Sequence, residues 1–507
     1  MNLKKKIGQQ LVVGFDGYEI NDHIKNLIVN YHVGNVILFE RNCKTPEQVF
    51  NLVQDLQKLS MEYNGLPLFV TIDQENGVVN RIFDGITVFP GNMAQTVGAT
   101  LEETEKIGYF TGVGLRSLGI NFNLAPSIDV NNNPNNPVIG TRSFGESAET
   151  VAKRGSACIK GLQTAHVIAT AKHFPGHGDT TVDSHLALPV VSHDKQRLEE
   201  VELYPFKEAI KNGVKSIMSA HIQFPAYEPS DLPGTLSHNI LTNLLRKELG
   251  FDGIIITDCM QMKAIDDLYG ADKATPMAMS AGADLICISH SEEKQISAIN
   301  EVLRALEDKT LLEERIDESY NRILELKKEY DVESFLQTSY AQTKADLYNE
   351  EYEKLANEVS EKSITLVRNN GQLPVNNQDT LIVAPDGRAL TGADGLRRTP
   401  NFAQYFSTQA KNATALEIGN SPTNEEIRVA TEKAKNKQLV IICTHNAIFE
   451  SQQQMLVNEI LKVNKNVVLI PLRNPYDIEL FPEIPCCLLS YEYTMRSMKS
   501  LTKTLKG

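Results

Sequence analysis

Between residues 11 and 289 the chain repeats one unit eight times: a short apolar run followed by a longer stretch with helical periodicity. The runs are LVVGF (11–15), VGNVILF (33–39), LPLFVTID (66–73), INFNLAPSID (120–129), HVIATAKH (166–173), VKSIMSAH (214–221), DGIIITD (252–258) and GADLICIS (282–289). Near-continuous apolar runs of this length suit strands covered on both faces, and strands separated by helices imply parallel βαβ units. Eight such units predict a (β/α)8 TIM-type barrel closed on itself.

The polar residues fall in register at the ends of these runs: Asp73, Asp129, Lys172 with His173, His221, Asp258, and Ser289 with His290. A strand ending in Asp is commonly a helix cap. Six of eight runs ending in ionisable or polar groups at one edge of a barrel would be costly unless they faced a shared cavity. That edge is where barrel active sites are built.

The densest polar stretch is KHFPGHGDTTVDSH, residues 172–185. One reading is a solvated turn. A second is a metal site on His173, His177 and His185, but Pro175 interrupts any helix that would put His173 and His177 on one face. A third pairs Asp183 with His185, the carboxylate orienting an imidazole that gives and takes a proton near neutral pH.

Residues 291–363 read as outer helices and a connector, because KQISAINEVLRALED and LEERIDESYNRILELKKEY carry apolar positions at helical spacing. From Ser363 the pattern returns to strands in ITLVRN, TLIVAPDG, ATALEIG, QLVIICTHN, NVVLIPLRNP and CCLLSYEY, with helical stretches between the later ones. The expected organisation is a barrel over 1–335, a linker helix region over 336–362, and over 363–507 a smaller α/β sandwich domain with a mostly parallel sheet. No GxGxxG or Walker signature assigns that second domain a nucleotide.

The formal charge of −14 disfavours nucleic acid and anionic membrane as partners. No apolar run of membrane-spanning length and no signal-peptide core are present, so neither a membrane nor secretion is expected. Seven cysteines, an odd number with no CxxC spacing, point to a reducing cytoplasm.

Residues 1–290 resemble the glycoside hydrolase family 3 enzymes, within them the bacterial β-N-acetylglucosaminidases that recycle cell-wall fragments. The resemblance rests on GNVILFERN, TIDQENG, LGINFNLAPSIDVN, GTRSFGE, KHFPGHGDTTVDSH, IMSAHIQFPAYEP, GTLSHNILTNLLRKELGFDGIIITDCMQM and MSAGADLICIS. The DSH ending separates this branch from the β-glucosidase relatives, which take their acid from the second domain. It implies Asp258 as nucleophile, His185 with Asp183 as acid/base dyad, and Asp73, Arg81, Arg142, Lys172 and His173 as ligands of an N-acetylglucosamine. Arg142 also admits a purely structural ion pair.

The implied activity is that of a retaining exo-β-N-acetylglucosaminidase acting on small, peptidoglycan-derived glycans, as a monomer and without metal or organic cofactor. Rival readings are a phosphorylase of the same family, since a histidine acid does not repel phosphate; a non-catalytic sugar-binding protein; and a metal-dependent barrel hydrolase. Two departures from the family pattern stand out: Asn76 where a glycine is usual after Glu75, and Cys259–Met260 after Asp258. Asn tolerates left-handed backbone, so the first turn is expected to survive. With no Trp in the chain, any apolar sugar platform must come from Phe, Tyr or Met.

Overall fold

The structure is a computed structural model describing residues 3–183, 187–395 and 399–507. Each of the eight runs forms a strand: β1 Leu11–Val13, β2 Asn35–Leu38, β3 Phe69–Ile72, β4 Phe122–Asn123, β5 Ile168–Phe174, β6 Ser216–Ser219, β7 Ile254–Thr257 and β8 Ile286–Ile288. All neighbours pair in parallel in the order β7-β6-β5-β4-β3-β2-β1-β8. The barrel closes where Ile256 bridges Leu285 and the Thr257 N–H donates to the Leu285 carbonyl at 2.9 Å.

Strand side chains alternate between barrel interior and helix layer, as the two-residue pleat requires. Val12, Ile37, Phe69, Phe122, Ile168, Met218, Ile254, Ile256 and Cys287 share an interior cluster. Their neighbours Leu11, Val13, Val36, Leu38, Val70, Ile72, Ile255, Ile286 and Ile288 join the larger cluster under the helices. The interior is packed, with Phe69 and Phe122 edge to face at 5.3 Å, and Ile323, Leu326 and Tyr330 seal one end from the helix Glu313–Glu329 and the residue after it. The helices are delimited by local signals. Over Pro46–Asn64, for instance, Thr45 caps the Gln48 N–H, proline opens the first turn, and Gly65 ends the helix at φ 67°.

The second sheet comprises β9 Thr365–Asn369, β10 Thr380–Pro385, β11 Ala413–Ile418, β12 Leu439–Thr444, β13 Val467–Pro471 and β14 Cys486–Leu489. Its order is β11-β10-β12-β13-β14-β9, parallel except for the antiparallel edge strand β9. Both faces are buried: Ile382 and Ile441 pack on one side, Leu381 and Val440 on the other. The helix Glu350–Ser363 joins the two parts, burying Tyr352, Ala356 and Val359 against Phe89, Ala99 and Ile107 of the barrel. On its other side Ser360 hydrogen-bonds Ser500 at 2.8 Å. No helix among the described residues is long and apolar enough to cross a membrane.

One buried charge ties the closing strands to the outer layer. The Asp284 side chain is fully buried just before β8 and meets Arg315 at 2.8 Å, Arg322 at 3.1 Å and Arg246, while accepting from the Ile255 N–H at 2.9 Å. Burial alone would raise its pKa, but the three guanidinium groups hold the carboxyl below the usual range. Removing one partner of such a cluster leaves uncompensated buried charge. Asp284→Asn is therefore expected to lower the unfolding free energy by about 3–5 kcal/mol in urea titrations.

Candidate active site

At the carboxyl ends of the barrel strands lies a cavity of about 460 Å³. Its polar wall is built from successive strand ends: Asp73 and Glu75 after β3, Lys172 and His173 from β5, and Asp258 after β7, with Arg81 and Arg142 entering from loops. Phe39, Leu124, Met218 and Met262 provide apolar wall.

Glu75 organises the polar side. Arg142 grips it through both carboxylate oxygens, at 2.8 and 3.0 Å, and the Lys172 ammonium reaches it at 2.6 Å. Lys172 also meets Asp73 at 3.0 Å, and Arg81 approaches Asp73 at 3.5 Å. Glu75, Arg142 and Lys172 are nearly sealed from solvent, with side chains 3%, 5% and 3% exposed, whereas Asp73 retains 17%. Burial opposes ionisation of Glu75, yet Arg142 and Lys172 outweigh it and hold the carboxyl well below its ordinary range. In return the carboxylates keep Lys172 and Arg142 charged against burial. Arg142 thus makes the ion pair its residue type admits and also lines the cavity.

The histidines depend on Asp129. Its buried carboxylate accepts from the His173 ring at 2.7 Å, the His173 N–H at 3.1 Å, the His177 N–H at 2.7 Å and the Ser127 hydroxyl at 2.9 Å. Consecutive strand residues ordinarily face opposite sides. Here the β5–β6 register shifts between Lys172 and Phe174, and Lys172 and His173 both reach the cavity. A bulge re-aims a side chain in this way; the Lys172–His173 peptide is cis. The following glycines permit close packing. Gly176 sits at φ 144°, and a Cβ on Gly178 would lie 1.7 Å from the Val130 carbonyl oxygen.

His177 is buried, its ring bonded to Thr180 at 2.8 Å, and burial first, then the neighbouring His173, push its pKa down to about 4. The His173 ring is held through Nδ1 by Asp129 and the His177 ring through Nδ1 by Thr180, which fixes the orientation of both. Among the described residues a grouping with metal-ligand spacing is Asp179, His193 and Glu202, which sits elsewhere.

Two expected strand-end groups do not line the cavity. Asp129 lies behind the histidines, and His221 is buried between the Thr235 hydroxyl at 2.8 Å and the Cys259 carbonyl at 3.0 Å. They support the wall from behind, because a barrel's packed interior has room for such braces below the cavity floor. Asp183 is buried and is not among the residues lining the cavity, and His185 lies outside the described residues. Asn76 adopts φ 72° as expected for the turn, its amide bridging Thr111 at 3.1 Å and the Phe89 N–H at 3.1 Å.

Sequence reasoning singled out Glu75 only as a neighbour of the Asn76 departure, and missed the second domain's contribution. Gly392, Ala393 and Asp394 line the cavity, and the Arg81 guanidinium donates to the Ala393 carbonyl at 3.1 Å. Asp394 is fixed by a two-oxygen grip from Arg473 at 2.7 and 2.9 Å. The signal available was the charged ending of β13, where Arg473 follows an apolar run just as barrel strands end in polar groups.

A polar cavity at the carboxyl face of a barrel, lined by a strand-end carboxylate and by paired carboxylates and cations, has the groups a glycoside hydrolase uses. The comparisons agree. The model of the glycosyl hydrolase family 3 N terminal domain matches residues 2–326, and the chain belongs to that family. It is 34% identical to Beta-hexosaminidase A of Pseudoalteromonas piscicida over 525 residues, covering 93% of this chain and 85% of that protein. A Beta-hexosaminidase of Hydrogenovibrio crunogenus is 31% identical, over 56% of this chain and 81% of its own length. The solved structure of a glycoside hydrolase family 3 beta-N-acetylglucosaminidase from Paenibacillus sp. str. FPU-7 superposes with a TM-score of 0.94 at 41% identity, covering 100% and 97% of the two chains. A beta-glucoside phosphorylase at 20% identity and TM-score 0.83 shares the fold.

Glu75→Gln removes the charge between Arg142 and Lys172 and is expected to cut kcat/KM by about 100-fold or more, roughly 3 kcal/mol, in steady-state assays. A second expectation concerns pH. The unfolded chain protonates His177 near 6.5 and the folded chain only near 4, so its contribution is complete above 6.5 and is lost as pH falls toward 4. Unfolding free energy should drop by roughly 3 kcal/mol on this account across that window, and His177→Gln should flatten the slope measured by denaturant titration.

Proposed function

We propose that this glycoside hydrolase, a β-N-acetylhexosaminidase by its family and relatives, is a retaining exo-enzyme that removes terminal β-linked N-acetylglucosamine from small peptidoglycan-derived glycans. The observation that carries the reading is convergence: Asp258 shares one cavity with Asp73, Arg81, Arg142, Lys172 and His173. The cavity's volume is in the range of small-molecule sites, sufficient for one sugar ring and part of a leaving group.

In the first step the Asp258 carboxylate attacks the anomeric carbon while the glycosidic C–O bond breaks and the imidazolium of His185 protonates the departing oxygen. Asp183 holds and stabilises that imidazolium. In the second step neutral His185 takes a proton from water, the hydroxide adds to the anomeric carbon, and the Asp258–sugar ester breaks. N-acetylglucosamine leaves with its β-configuration retained, after two displacements at one carbon. The Cys259 N–H donates to an Asp258 carboxylate oxygen at 2.7 Å, which orients the nucleophile without neutralising it.

Binding of the sugar falls to the ion cluster. Carboxylates accept from sugar hydroxyls, and Lys, Arg and His donors answer the remaining oxygens and the acetamido carbonyl. Because Glu75 and Asp73 together balance Arg142 and Lys172, a neutral sugar suits this cluster. A monomer working in the cytoplasm completes the reading; the seven cysteines, all unpaired, support that compartment. No metal or organic cofactor enters any step.

The test is release of nitrophenolate from the β-N-acetylglucosaminide, with EDTA throughout and phosphate absent or added. Release with EDTA and without phosphate is expected, followed by hydrolysis of an N-acetylglucosaminyl-muramic acid disaccharide. Asp258→Asn and His185→Ala should each lower disaccharide turnover by about 1,000-fold, roughly 4 kcal/mol. Release only with phosphate identifies a phosphorylase, and binding without release identifies a sugar-binding protein.

A further inference from the structure

Cys259 and Cys287 meet at the wall of the substrate cavity. Cys259 follows Asp258 directly after β7, Cys287 lies in the middle of the adjoining strand β8, and both line the cavity. The backbones are locked together beside them, the Met260 N–H donating to the Cys287 carbonyl at 2.8 Å. The two thiols are neighbours at adjoining strands, and the Cys287 sulfur meets the Ser289 hydroxyl at 3.2 Å. Arg41, another cavity residue, lies within electrostatic reach of Cys259.

These surroundings distinguish the pair from other cysteines of the chain. Cys43 and Cys158 have thiols that burial pushes up to about 12, and burial likewise raises Cys443. At Cys259 the hydrogen bond from Cys287 leads the opposing effects, and the thiol falls below its ordinary range despite burial. A thiol beside a cation and open to a cavity is the reactive kind. A second thiol on the adjoining strand supplies the resolving partner.

We propose that Cys259 and Cys287 form a peroxide-sensitive thiol pair whose oxidation to a disulfide inside the substrate cavity arrests turnover reversibly. The Cys259 thiolate attacks one peroxide oxygen; the O–O bond breaks, the sulfur loses two electrons, and water leaves after taking up a proton. Cys287 then attacks the resulting sulfenic sulfur, forming the S–S bond and expelling the hydroxyl as a second water. Two thiols and one hydrogen peroxide become one disulfide and two waters. A dithiol reductant reverses the change by exchange. Arrest follows from position, because the Cys259 backbone holds both an Asp258 oxygen and the His221 ring. Tying its side chain to β8 constrains the proposed nucleophile.

The arrest rests on the reading of Asp258 given above, whereas bond formation does not, and the experiment separates them. The full chain is treated with hydrogen peroxide, digested without reduction and mapped by mass spectrometry, with nitrophenolate release followed in parallel. Expected are a linked peptide pair carrying Cys259 and Cys287, a fall in release of about tenfold or more that tracks the linkage, and recovery with dithiothreitol. Cys287→Ala, normalised to its own untreated activity, should lose the dithiothreitol-reversible component; Cys259→Ser provides the same comparison from the other side. Absence of the linked pair from the wild-type map overturns the proposal, as does complete linkage with unchanged turnover. If untreated protein releases no nitrophenolate, the glycosidase reading fails while the peptide map still decides whether the pair forms.

Discussion

A buried carboxylate gripped by an arginine and a lysine is the constraint on which the rest of this site depends. Glu75 carries its charge out of water only because Arg142 and Lys172 meet it within 3.0 Å, and they stay charged only because Glu75 and Asp73 are there. No member can be placed alone. Such a cluster costs desolvation, and its net worth to stability is small when complete. What it secures is geometry: two loops and two strand ends must arrive together before every charge is satisfied.

The same logic extends outward in layers. Asp129 accepts four hydrogen bonds and thereby fixes the bulge that turns Lys172 and His173 to one side. Behind the proposed nucleophile, His221 spans Thr235 and the Cys259 carbonyl. Across the cavity, Arg473 holds Asp394, whose neighbour Ala393 receives Arg81. Rigid supports of this kind let a polar pocket discriminate among hydroxyl patterns, since a misplaced donor loses the whole of a short hydrogen bond. The Gly91 N–H reaching Glu492 at 2.8 Å across the two parts shows that the second domain is fastened to the barrel near this rim.

Much of this was legible beforehand because barrel strands announce themselves twice. Hidden on both faces, they read as apolar runs, and ending at a shared edge, they carry polar groups in register. All eight runs became strands, even INFNLAPSID, of which only Phe122 and Asn123 pair. The second sheet was equally visible, down to its mostly parallel pairing. Within the site, Asp73, Lys172, His173 and Asp258 announced themselves by strand-end position. Arg81 and Arg142 lie on loops, where periodicity is silent, and came from the family resemblance. Glu75 was hidden by proximity, two residues from the more conspicuous Asp73. The strand-end rule over-reached at Asp129 and His221, because residues at one edge of a barrel divide between the cavity and the layer that braces it.

By itself the sequence determined the two α/β parts, the barrel's strand count, and the edge at which chemistry gathers, because these follow from burial and from spacing along the chain. Only the tertiary structure decided which charges pair, which histidines reach the cavity, and that residues 392–394 complete the wall. Ion pairing depends on distances of a few ångström between segments dozens to hundreds of residues apart. No local pattern encodes such distances, and they exist only once the barrel has closed and the second domain has docked on it.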